Sequence, residues 1–163
     1  MSPTRTDPVL EHALLQIDEA YGARSWHGTN LRGSLRGVSP RVAAWRPAPG
    51  RHNIWELAVH AAYWKYAVRR RITGEKRGSF ALAGSNWFGR PGRATAAAWK
   101  ADLGLLASEH RHMRGVIAGL KATDLQKRTL PGRATIGFLV RGVAAHDLYH
   151  AGQIQILKRL CPY

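Results

Sequence analysis

The chain has 163 residues with a hydrophobic fraction of 45% and a mean hydropathy of −0.30, values that fit one globular domain over 1–163 and exclude a disordered or fibrous chain. No run approaches the roughly 20 apolar residues of a membrane span, so no membrane partner is expected; MSPTRTDPVLEH lacks a signal-peptide core and the lone Cys161 cannot form an internal disulfide, which together predict a cytoplasmic location. The net charge of +15 attracts nucleic acid or acidic small molecules, yet the basic residues are scattered, and the one dense cluster, Arg69-Arg70-Arg71 with Lys76 and Arg77, reads first as a solvated helix end.

Four stretches carry helical periodicity. The first opens near Asp7 with Pro8 in its first turn, and Leu10, Leu14, Ile17 and Tyr21 repeat at four, three and four. Gly22 loosens the pattern before Leu31, Leu35 and Val38 resume it, which predicts a kinked or split helix that Ser39-Pro40 stops. Trp45 to Gly50, with Pro47 and Pro49, is a connection. The second helix runs from Asn53, an N-cap with Glu56 placed for a capping box, to Thr73, with Gly74 as its stop; Leu57, Ala61, Trp64 and Val68 mark its buried face. Residues 74–92 hold five glycines and Pro91 and predict a long surface connection of the length that is usually functional. The third helix spans 94–122, with Trp99, Leu103, Leu106, His110, Met113, Ile117 and Leu120 in repeat. A polar link with Pro131-Gly132 comes next, then a fourth helix from Thr135 to Leu160. No stretch alternates as a strand does. An all-α four-helix bundle is the fold class expected.

The fourth helix interrupts its apolar stripe with His146, His150 and Gln153. Two histidines four apart lie one turn up one face, about 6 Å along the axis, close enough for both imidazoles to reach one ion with bonds near ~2.1 Å. His60 lies between Leu57 and Trp64 on the inner side of the second helix. Three imidazoles from two helices would leave coordination positions open, as catalytic sites do. His60, His146 and His150 are therefore the candidate metal ligands. Imidazole donors suit a divalent transition metal, zinc or nickel foremost.

Other residues keep two readings each. Glu56 either caps its helix or orients a ligand, and Gln153 hydrogen-bonds either a ligand or a neighbouring helix. His110 is a core histidine or a partner to a ligand. His52 is expected to hydrogen-bond backbone where the second helix begins, and Asp147 to form a salt bridge because it points about 100° away from its neighbour His146. His27 and His112 are expected at the surface, and His12 has no firm place. Trp26, Tyr63, Trp64 and Tyr149 are read as core aromatics, with Trp64 also able to wall a pocket.

The stretches HNIWELAVHAAYWKYAVRRRITGE and AAHDLYHAGQIQILKRL, with LRGSLRGVSP before them, resemble the DinB/YfiT-like superfamily over most of the chain. The resemblance implies an up-down-down-up four-helix bundle with a metal triad of one histidine on the second helix and two on the fourth, which fall at His60, His146 and His150. It also implies activities of the thiol-dependent transferase or isomerase kind, using a low-molecular-weight thiol such as bacillithiol or mycothiol, a DNA-damage or stress response for some members, and a homodimer. The function expected is a metal-dependent enzyme, an S-transferase or a hydrolase, acting on a small molecule. The alternatives are a metal-binding module without turnover and a basic nucleic-acid-binding stress protein. No residue is assigned a catalytic or cofactor-binding role beyond the metal ligands.

Overall fold

Each helix begins where a side chain can satisfy the amide groups its first turn leaves free. In α1 (Pro8–Tyr21) the Asp7 carboxylate accepts from Val9 N–H at 2.9 Å. In α4 (Ile54–Thr73) Asn53 Oδ1 accepts from Glu56 N–H at 2.8 Å and Glu56 Oε2 accepts from Asn53 N–H at 3.4 Å, which completes the capping box. Gly74 stops α4 at φ 79°, where a side chain would be strained. Thr95 caps α5 (Ala96–Ala118), and Thr135 caps α6 (Ile136–Leu160). This computed structural model describes residues 7–129 and 134–163; the predicted link at Pro131-Gly132 lies outside them, as do the first six residues of the stretch read for a signal.

The first predicted helix is split, in keeping with its weakened middle. After α1 come two short helices, α2 (Leu31–Ser34), capped by Asn30, and α3 (Pro40–Ala44). Ser39-Pro40 is a start and not a stop. Ser39 Oγ accepts from Val42 N–H at 3.3 Å and Pro40 takes the first turn, where a missing N–H costs nothing. The break falls instead at Gly37, with φ 73°. The third predicted helix is also shorter than 94–122, and a 3₁₀ turn over Ala122–Gln126 lies beyond its end.

The fold is all-α. Among the described residues there is no strand, only the bridging pair Arg128–Thr135. The helix α4 packs most extensively on α5 and also on α6, while α1 lies on α6 and touches α5. Two apolar clusters fill the interior. One gathers Trp55, Ala58, Ala62, Trp99, Leu106 and Ile154, and the other Ile17, Val68, Met113, Ile117, Val140 and Val143. The change from one to the other falls between Ala67 and Val68 on α4, just beyond the buried Lys65, and at the buried His110 on α5 and Asp147 on α6. The connection 74–92 is not wholly superficial: Phe80 and Phe88 are buried and pack with Tyr63 at ring distances of 5.4 and 5.6 Å. No helix among the described residues is long and apolar enough to cross a membrane.

Candidate metal centre

The predicted histidines converge. His60 on α4 and His146 and His150 on α6 place a ring nitrogen each within 4.8 Å of one another. His146 Nε2 stands 3.1 Å from His60 Nε2 and 3.0 Å from His150 Nε2. Two nitrogens bonded to one ion at about 2.1 Å are about 3.0 Å apart at a right angle and about 3.4 Å apart in a tetrahedron. The contacts made by His146 thus have the separation that shared ligation needs.

The outer nitrogens decide which way the lone pairs face. His60 Nδ1 lies 2.8 Å from the Asn86 carbonyl oxygen, which can only accept, so Nδ1 carries the proton. His150 Nδ1 lies 2.7 Å from Gln153 Oε1 and donates in the same way. In the neutral ring both Nε2 atoms are then acceptors, and they face each other across His146 with no proton of their own to share. Burial holds the rings neutral. It pushes the His60 pKa down to about 4 against the pull of the Asn86 hydrogen bond, and His146 down to about 3, with His150 and His60 adding to the effect. His150 is lowered too, again mainly by burial. Neutral imidazole is the form that binds metal. The His146 Nδ1 is buried with no hydrogen-bond partner among the described residues.

Residues 24–154 match the DinB superfamily. The chain belongs to that superfamily. No curated protein and no solved structure matches it.

Around the triad of this DinB protein, some flanking residues fall as expected and others do not. Gln153 serves a candidate ligand and not a neighbouring helix. Glu56 bonds none of the three: its carboxylate takes Arg46, with Arg46 Nη1 at 2.9 Å from Oε2, and His52 Nδ1 at 2.9 Å, so its role is to cap and anchor. That pairing corrects the backbone role expected of His52. His110 is a core residue, its ring stacked on Tyr21 at 3.6 Å. Asp147 forms the expected salt bridge, a fully buried one with Lys65. Tyr63 and Trp64 are half-buried, but Trp26 is 99% and Tyr149 65% exposed; the core default failed for both because α6 turns Tyr149 outward and Trp26 lies in a turn. His12, His27 and His112 are exposed.

Two residues of the connection 74–92 complete the site; the sequence marks Trp87 only as one of that connection's aromatics and gives no sign of Asn86. Asn86, at φ 63°, offers its carbonyl to His60 and its Oδ1 to Trp64 Nε1 at 3.0 Å. Trp87 lies flat on His60, ring centroids 3.8 Å apart, and flat on His52 at 3.6 Å. The triad opens beside two cavities. One, of about 230 Å³, is lined by Trp64, Val68, Leu139, Val143 and His146, and the other, of about 660 Å³, by His52, Trp87, Tyr149, His150 and Gln153.

Proposed function

We propose that this DinB-superfamily protein is a metal-dependent enzyme acting on a small molecule, with His60, His146 and His150 as the ligands of a divalent transition metal, zinc or nickel foremost. The observation that carries the reading is the convergence of the three Nε2 atoms, two of them fixed as acceptors by Asn86 and Gln153. Buried acceptors facing one another are unfavourable unless a cation or a proton lies between them. Bound there, the metal would supply Lewis acidity toward a thiol, a water or a substrate oxygen.

The protein's own contribution is orientation and exclusion. Asn86 and Gln153 fix the ring planes of His60 and His150, and Trp87 covers one face of His60 and so keeps water from it. Separate cavities beside His146 and His150 give two reactants distinct approaches, which supports S-transfer from a low-molecular-weight thiol to an electrophile more than a site saturated by protein ligands. In this reading the long helices run up-down-down-up. The connection over 74–95 is long enough to return along the roughly 30 Å of a 20-residue helix and set α5 parallel to α4.

Elemental analysis of untagged protein beside His150→Ala tests the reading. About one equivalent of zinc or nickel in the parent, lost in the variant, is the result expected for a three-histidine site. No metal, and no uptake on adding zinc or nickel, would mean that His146 Nε2–H is shared between its two neighbours as a closed polar cluster.

A further inference from the structure

The +15 charge is not spent evenly. Of the dense basic cluster, Arg69 is paired, with Nη1 at 2.7 Å from Glu75 Oε2 and Nε at 3.7 Å from Glu109. The next three arginines are not. Arg70 reaches only the Glu75 backbone carbonyl at 3.4 Å, Arg71 lies 5.6 Å above the Trp64 ring, and Arg77 makes no ion pair among the described residues. All three line one cavity of about 520 Å³ between the last turns of α4 and residues 77–85, and no acidic side chain lines it.

The helix dipole explains part of this arrangement but not all of it. Cations near the last carbonyls of α4 are favourable, and Arg70 and Arg71 occupy that turn. Arg77 comes from the connection beyond Gly74, however, and is turned to the same cavity. Arg70 is buried, so its charge is partly desolvated without a carboxylate to offset it. The walls are aromatic, formed by Tyr63, Trp64 and Tyr66. The Tyr66 hydroxyl accepts from Gly78 N–H at 3.2 Å and so ties the connection to α4. Guanidinium groups around a walled space match the planar oxygen pairs of phosphate and carboxylate.

We propose that this cavity binds a compact small-molecule polyanion carrying two or more phosphate or carboxylate groups, held by Arg70, Arg71 and Arg77. The site adjoins the cavity beside His146, which Trp64 and Arg71 also line, but neither metal nor turnover enters its test.

Calorimetric titration of the full chain at physiological salt, with pyrophosphate in one arm and citrate in another, reads the site directly. The expected result is saturable one-site binding of at least one of them, weakened about tenfold or more in Arg77→Gln, the loss of one charge-assisted contact, and abolished in Arg71→Gln/Arg77→Gln. Which arm binds tells phosphate from carboxylate as the natural source. Arg77 is exposed, so the single variant folds and remains decisive should the double variant not. Three outcomes overturn the proposal: no saturable binding of either anion up to millimolar concentration, equal binding by parent and Arg77→Gln, or binding of a DNA oligonucleotide alone.

Discussion

The helices α4 and α6 face each other through two polar seams, and the two are built on opposite principles. In one, Lys65 and Asp147 meet as a salt bridge with side-chain exposures of 0% and 1%, flanked by Tyr21, whose ring centroid is 5.1 Å from Lys65 Nζ, and by His110 stacked on that ring. In the other, His60, His146 and His150 bring ring nitrogens together beside two cavities. His146 and Asp147 are adjacent residues, turned about 100° apart by the helix, and that turn separates the seams. The first seam joins a donor, Lys65 Nζ, to an acceptor, Asp147 Oδ2, and leaves Asp147 Oδ1 and His110 Nδ1 buried without a hydrogen-bond partner among the described residues. The second sets two acceptors, the Nε2 atoms of His60 and His150, on either side of His146 Nε2. Both seams hold unsatisfied buried atoms, so what marks the second as a candidate site is the convergence of three potential ligand nitrogens beside cavities.

The largest effect should come from breaking the Lys65–Asp147 pair. Burial pushes the Asp147 carboxyl up against the pull of Lys65, so the pair is costly to hold and costlier to halve. Asp147→Ala leaves an ammonium in the core and should destabilise the protein by about 3–5 kcal/mol in urea unfolding, whereas Lys65→Met/Asp147→Leu should recover most of that loss. A single variant losing under about 1 kcal/mol would show that water reaches the seam, since exposed ion pairs contribute that little, and would remove the contrast with the triad.

A smaller effect should come from loosening the open seam without touching its three histidines. Gln153→Ala removes the acceptor from His150 Nδ1, and outer partners of this kind change metal affinity by about 10–100-fold. Zinc titration against a competing chelator should show that drop, and Gln153→Glu, which keeps an acceptor in place, should restore affinity. Equal affinity in Gln153→Ala would mean that packing alone sets the His150 ring.

How much of this could be read from the chain depends on the range of the interactions. Asn53, Glu56 and Gly74 bounded α4 correctly because caps are local chemistry between residues a few positions apart. The triad was legible because its members repeat at helical spacing on apolar faces. Ser39-Pro40 misled because a Ser-Pro pair can end one helix or begin another, and here Ser39 Oγ caps Val42 N–H to begin one. Asn86 and Trp87 were hidden for a different reason. Their contacts with His60 cross 26 and 27 positions through a glycine-rich connection that has no period, and nothing local fixes where such a segment returns. Phe80 and Phe88 entered the core by the same route.

The effect that tells the seams apart most cleanly is in their response to acid. Burial pushes the His110 pKa down to about 3, with Lys65 adding to it, while an unfolded histidine titrates near 6.5. A folded value below the unfolded one means that protons bind the unfolded chain first. The stabilisation is therefore whole above about pH 6.5 and is lost as pH falls toward 3, at no more than about 1.4 kcal/mol per pH unit. His110→Leu should flatten the stability profile by that slope between about pH 6 and 4. His60 and His146, at about 4 and 3, contribute with the same sign in metal-free protein. Zinc then separates the seams, because ligation requires neutral imidazole and adds stability that grows with pH. Saturating zinc should steepen the profile of the parent and of His110→Leu alike and leave the difference between them unchanged. If zinc erased that difference, His110 would be coupled to the metal, and the polar layer around Lys65 would belong to the site.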